Sequence, residues 1–295
     1  MQPVKHLALA VLIAACGGSA PAAVPVPPTP PSFVPTAFAV KVSGAGRAVI
    51  FIPGLASPGS VWDGTVAHLA GKKQVHVLTL AGFAGQPPIK PPFLLTVHDQ
   101  IVQYIHANHL DHPIIVGHSL GGMMALWLAE TNSADLGGVV DVEGLPFFPA
   151  AADSKVTEAQ GAAFGQQMHD KIVSAPPAQF AATVKQFLAS MITKPEDLDR
   201  IATESAKSDI ETYATAMAEL LSRDLRPDLA KITTKVTVIA AGNGTEPRPT
   251  LEQAWHTQID SIKGSELHFV DDAKHFVMLD QPSAFFVQLD QALAR

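Results

Sequence analysis

From Thr36 onward the chain alternates short apolar runs with stretches whose apolar residues recur at helical spacing. Phe38 to Val42, Arg47 to Ile52, Val75 to Leu80, Ile114 to Val116, Gly138 to Val142, Val236 to Ala241 and Glu266 to Val270 have the length and β-branched content of strands. Between them, Ser60 to Ala70 places Trp62, Val66 and Leu69 on one side, Thr96 to Leu110 reads as a helix, and Met123, Leu126 and Trp127 begin another. Alternating strands and helices predict an α/β fold, a mostly parallel, doubly wound sheet covered on both faces. Leu145 to Asp228 is too long for a simple crossover. It contains helical patterns at Phe164 to Val173, Pro177 to Met191 and Ile201 to Leu221, with Pro176, Pro177 and Pro195 marking breaks, so residues 145–228 are expected to form a helical insertion.

The N-terminus has a different pattern. Lys5 and His6 precede an unbroken apolar run from Leu7 to Ala15, the length of a signal-peptide core and too short to span a bilayer. Residues 1–19 therefore read as a signal peptide. Its end, Leu12-Ile13-Ala14-Ala15-Cys16-Gly17, resembles the lipobox of bacterial lipoproteins, which implies lipidation of Cys16 and an address in the bacterial periplasm or outer membrane. The alternative is an ordinary secretory peptide cleaved near Ala20 or Ala23. Cys16 is the single cysteine, so no internal disulfide can form. Residues 20–35 hold seven prolines and are expected to be an extended linker between the N-terminus and a body made of 36–144 and 229–295 plus the insertion. Contact with a membrane is expected only through the lipid anchor. A formal charge of −7 without clustered Lys and Arg argues against nucleic acid as a partner.

The candidate chemistry starts at Gly117-His118-Ser119-Leu120-Gly121, where an apolar strand turns into a helix. A sharp turn of this kind leaves Ser119 at its apex, and the backbone N–H of Leu120 is free to bind a developing oxyanion. A serine hydroxyl is a poor nucleophile, so a neutral imidazole has to take its proton. Among twelve histidines, His275 lies in a loop between a strand pattern and the last helix. His118 adjoins Ser119, but the turn is expected to send its ring elsewhere. His98, His106, His109 and His112 are expected to form a solvated helix face and not a metal site, because no carboxylate or cysteine pattern completes one.

On three segments the chain resembles the α/β-hydrolase superfamily: Pro53-Gly54-Leu55 after an early strand, Gly117 to Gly122, and Asp271 to Pro282 with His275 in the base position. The resemblance implies an α/β-hydrolase fold with a helical cap inserted after the sixth strand, oxyanion donation from the amides of Leu55 and Leu120, and no cofactor. The acid departs from the commonest pattern, since Ala241 to Pro247 holds no Asp. Glu143, which follows the preceding strand, is the preferred acid. Glu246 is the alternative, with Asp141 or no acid left open. Phe147 and Phe148, next to Glu143, are the apolar candidates for substrate contact. The implied activity is hydrolysis of a small-molecule carboxylic ester through an acyl-enzyme. Lactone, amide, thioester and carbon–carbon cleavage stay open on the same residues, as does a non-catalytic binding protein. An aminopeptidase would need a cap carboxylate, for which Asp153, Glu158, Glu204 and Glu211 are candidates.

Overall fold

The apolar runs become β1 (Phe38–Gly44), β2 (Ala48–Ile52), β3 (Gln74–Leu80), β4 (Ile114–His118), β5 (Gly138–Val142), β6 (Val236–Gly242) and β7 (Glu266–Asp271) in a computed structural model describing residues 33–151, 153–242 and 246–294. The signal segment, Cys16 and the linker as far as residue 32 lie outside the described residues. The strands form one sheet ordered β1-β3-β2-β4-β5-β6-β7. Only β1 runs antiparallel to its neighbour β3.

Strand residues alternate between two cores because successive side chains leave opposite faces. Ile50, Ile52, Ile115 and Val238 pack on one face, under α2 (Phe93–Ala107), α3 (Leu120–Asn132) and α8 (Arg248–Ile259). Val49, Phe51, Val116 and Ile239 pack on the other, under α1 (Asp63–Leu69) and α10 (Pro282–Leu293). Burying each such side chain contributes roughly 1.5–3 kcal/mol, so the register of the central strands is strongly fixed. One expectation fails on this helix layer. His98 is buried and stacked on Trp127 with ring centroids 4.3 Å apart, its Nε2 2.9 Å from the Thr131 hydroxyl. The helix begins at Phe93, and its buried stripe of Leu94, Val97, His98, Ile101 and Ile105 carries His98 inward. His106 remains on the exposed side, paired with Asp135.

The insertion leaves after β5, the fifth of seven strands, one earlier than the position implied by the resemblance. The described sheet opens directly on the antiparallel edge strand β1, so one strand fewer precedes it. The insertion holds α4 (Glu158–Ser174), α5 (Phe180–Ala189), α6 (Pro195–Ser205) and α7 (Ile210–Ser222). Ile201 to Leu221 is thus two helices and not one. Asp209 ends the run by capping α7, its Oδ1 accepting from the Thr212 amide at 2.8 Å and hydroxyl at 2.7 Å. At the same break the Asp209 amide donates to the Gly82 carbonyl at 2.7 Å, tying the cap to a core loop. At the neck, the Leu225 amide donates to the Pro146 carbonyl at 3.1 Å. The short α9 (Val277–Asp280) leads into α10.

Candidate active site

Strand register brings the three active-edge segments together. Ile52 pairs with Gly117, and His118 pairs with Val142. Pro53-Gly54-Leu55, Ser119 and Glu143 therefore leave neighbouring strands at the same edge, and the Ser119 amide donates to the Val142 carbonyl at 2.9 Å. Ser119 sits at φ 55°, ψ −119°, a backbone conformation that L-residues rarely adopt and that costs about 1–3 kcal/mol. The flanking glycines permit it. A Cβ on Gly117 would collide with the Gly121 carbonyl, and one on Gly121 with the Ile52 carbonyl. Leu120 opens α3, where the first amides have no acceptor within the helix, at the same sheet edge as the Leu55 loop.

His275 lies in the loop after β7, and its Nδ1 is 3.0 Å from Glu143 Oε2. The second oxygen, Glu143 Oε1, accepts from the Ala241 amide at 2.6 Å, which fixes the carboxylate against β6. Glu143 has φ 59°, so the turn after β5 is strained there as the turn after β4 is at Ser119. Glu246 is exposed, and no hydrogen bond or ion pair joins it to His275. Asp141 is fully buried. Its Oδ1 accepts from the Gly144 amide at 2.8 Å, and burial pushes its carboxyl well above the usual range. It supports the loop that carries Glu143. His118 does not point away from the site: its ring centroid is 4.8 Å from that of His275, and its Nε2 donates to the His275 carbonyl at 3.0 Å.

Ser119, His118 and His275 line a cavity of about 40 Å³. Its remaining walls come from Gly54, Leu55, Ser57, Phe276 and the cap residues Phe148, Phe187, Leu188, Met191, Met217 and Leu220. Ser119 and His275 share this space without a hydrogen bond between them, and such contacts often tighten only with substrate bound. Phe148 is 42% exposed and also lines a neighbouring recess of about 330 Å³ that reaches Glu143 and Lys274. Phe147 is in neither. It is fully buried beneath the Arg226 guanidinium, 4.7 Å from its ring, so of the two phenylalanines only Phe148 lines the cavity beside Ser119. The Phe147 amide donates to Gln258 Oε1 at 3.1 Å. None of Asp153, Glu158, Glu204 and Glu211 lines the cavity beside Ser119, and Glu211 is paired with His169.

The model of the alpha/beta hydrolase family matches residues 49–289, from β2 into α10 and across the whole site. The chain belongs to the alpha/beta hydrolase family. Among its curated relatives, this hydrolase is similar to 3-oxoadipate enol-lactonase 2 of Acinetobacter baylyi, 25% identical over 250 residues that span 84% of this chain and 89% of that one. It is also similar to the pimeloyl-[acyl-carrier protein] methyl ester esterase of Vibrio atlanticus, 28% identical over 192 residues, 63% of this chain and 66% of the relative. These relationships make it an esterase-like hydrolase. A hydrolase structure from Pseudomonas aeruginosa superposes with a TM-score of 0.74 at 19% identity, covering 88% of this chain and 94% of that one, which shows a shared fold.

Two groups of site residues in the hydrolase were not singled out from sequence for the places they occupy. Met217 and Leu220 reach the cavity from α7, where an i, i+3 apolar pair on an amphipathic helix was the available signal. The His118–His275 contact left no such trace, because the two residues are joined only by the closing of the β7 loop over β4.

Proposed function

We propose that this alpha/beta hydrolase cleaves carboxylic esters through an acyl-enzyme on Ser119, with His275 as base and Glu143 as the acid. His275 Nε2 takes the hydroxyl proton as Oγ attacks the carbonyl carbon, and the amides of Leu55 and Leu120 receive the charge that develops on oxygen. Collapse of this intermediate breaks the ester C–O bond, and His275 returns the proton to the departing alcohol. Water then attacks the acyl-serine, giving one proton to His275, and the carboxylic acid leaves as Ser119 recovers its own. Glu143 holds the proton on Nδ1 and stabilises the imidazolium. The observation that carries this reading is the 3.0 Å contact between His275 Nδ1 and Glu143, set at the sheet edge from which Ser119 emerges.

The cavity beside Ser119 is small, about 40 Å³, and walled by apolar cap residues, which favours a short acyl group, so acetyl and propionyl esters are the first substrates to test. The relatives named for an enol-lactone and for a methyl ester support ester bonds with small or internal leaving groups. The test is p-nitrophenyl ester hydrolysis across acyl lengths by the wild type, Ser119→Ala, Glu143→Gln and Glu246→Gln. The reading requires turnover that falls with chain length, is abolished at Ser119 and is far more sensitive at Glu143 than at Glu246. Wild-type protein inert to every ester length would overturn it. For the N-terminus, the proposal is export and lipidation at Cys16. Mass spectrometry of the mature protein should find an acylated Cys16, and a free terminus near Ala23 would refute it.

A further inference from the structure

Among the described residues, His118 is a buried titratable group that lines the cavity and that the proposed reaction leaves idle. Its side chain is fully enclosed, packed edge-on against Trp62 at 6.5 Å and tilted against Phe276 at 4.5 Å. Burial holds the imidazole well below its ordinary value near 6.5, so it is neutral. A neutral imidazole has one N–H, and the His275 carbonyl can only accept, so that proton sits on Nε2. Nδ1 is then an acceptor, buried and without a partner among the described residues. An unsatisfied buried polar atom costs roughly 1–3 kcal/mol, and an apolar side chain of similar size would avoid it. The position of both nitrogens suggests what offsets that cost. Nε2 holds the loop of the base, while Nδ1 abuts Gly54, where an added Cβ would lie 3.1 Å from it and 3.2 Å from Ser119 Cβ.

We infer that His118 is a positioning residue, a rigid spacer that holds the His275 loop and the Pro53-Gly54-Leu55 loop at the separation the acyl transfer requires, with Ser119 between them. The inference rests on the proposed acyl-enzyme reading of the same site. Leu120 and Leu55 supply the oxyanion donors from either side of Ser119, and the base approaches from the third direction. His118 is hydrogen-bonded to the loop of the base, lies beside Gly54 of the Leu55 loop, and belongs to the same turn as the nucleophile. A displacement of about 1 Å in such an arrangement costs on the order of 10²-fold in rate.

Three substitutions separate positioning from packing. His118→Leu removes the donor. His118→Asn keeps an amide, but its nitrogen falls near the place of Nδ1 and does not reach the His275 carbonyl. His118→Gln puts an amide nitrogen at the reach of Nε2. The expected result is a kcat about 10–100-fold lower for the Leu and Asn variants with KM within about twofold, and recovery of most of kcat in the Gln variant. Melting temperature should not follow the same order, because the Leu variant loses the orphan Nδ1 while orphaning one carbonyl. Inactivation by a fluorophosphonate, which needs the Ser119–His275 alignment but no particular acyl or alcohol group, should slow in the same proportion as kcat. Equal kcat in all three variants and wild type overturns the positioning role and leaves the acyl-enzyme reading standing. Losses that track melting temperature, with no recovery in the Gln variant, overturn it in favour of packing. A wild type inert to both esters and phosphonate overturns the two together.

Discussion

Glu143→Gln tests the acid most sharply, because two fixed donors face the two carboxylate oxygens. The Ala241 amide is 2.6 Å from Oε1, and His275 Nδ1 is 3.0 Å from Oε2. Glutamine has one acceptor oxygen and one NH₂. The Ala241 N–H belongs to the β6 backbone and cannot turn, so it keeps the oxygen, and the NH₂ is left facing His275 Nδ1. Two donors cannot pair, so the imidazole has to move its proton to Nε2 and present a lone pair on Nδ1. In that tautomer Nε2 can no longer take the proton from Ser119. The corresponding change in a serine protease triad lowers kcat about 10⁴-fold by the wrong tautomer. The expected loss here is about 10³–10⁴-fold in kcat, or about 4–5 kcal/mol at ~1.36 kcal/mol per decade. Glu143→Ala also removes the acceptor for Ala241, but it imposes no tautomer, so it should retain more activity than the Gln variant. Steady-state kinetics on p-nitrophenyl acetate reads both. A Gln variant with more than about a tenth of wild-type kcat, or a Glu246→Gln variant as impaired, refutes the assignment.

Phe148→Ala should open the cavity into the neighbouring recess and move the acyl preference from acetate toward butyrate or hexanoate esters, read as the ratio of kcat/KM values; an unchanged ratio shows that Phe148 does not limit chain length. Asp280 accepts from the Thr193 amide and hydroxyl at 2.8 and 2.9 Å and from the Lys274 amide at 2.8 Å, fastening the cap to the residue before His275. Asp280→Asn should lower unfolding stability by about 1.5–3 kcal/mol in urea, and a loss under 0.5 kcal/mol, the ordinary range of a surface change, contradicts that role. Burial lowers the pKa of His118, His98 and His76, so below about pH 6.5 the unfolded chain takes up protons that the folded one refuses, and stability falls as pH drops through that window. Urea melts at pH 5.5, 6.5 and 7.5 should show a shallower fall for His118→Gln than for wild type, and parallel profiles refute the contribution of His118. A Cβ on Gly144 would collide with Asp141 Oδ1 and lie 2.6 Å from Gly122 Cα, so Gly144→Ala should shift the Glu143 turn and cut kcat at least tenfold; wild-type kcat would show that the turn absorbs the change.

The sheet was legible because its strands are short, β-branched and bounded by glycine and proline, and Gly117 to Gly121 fixed the elbow because backbone crowding there leaves glycine alone as a fit. Glu143 could be preferred from its place at the end of a strand. The helix break at Asp209 and the inward turn of His98 were harder. The first is a local side-chain cap inside an otherwise continuous helical pattern, and the second depends on where α2 starts, which shifts the buried stripe around its axis. Phe147 and Phe148 are neighbours with opposite burial: the first packs beneath Arg226 and bonds through its amide to Gln258, both far along the chain. Contacts of that kind leave no periodic signal.

An acid placed after β5 has a mechanical consequence that an acid after β6 would not have. Segment 143–148 carries Glu143 at one end and the cavity residue Phe148 at the other, and the cap begins from it. The partner of Glu143 is tied to the cap as well, through the Phe276 amide to the Met191 carbonyl at 3.2 Å and through Asp280 to Thr193. Both sides of the Glu143–His275 pair are therefore anchored where the cap joins the core. With both anchors seated the pair is 3.0 Å apart, so loosening either joint is expected to disturb it. Cap substitutions at these joints should consequently appear in kcat, through the orientation of His275, whereas substitutions on the outer faces of α4 and α5 should leave it alone.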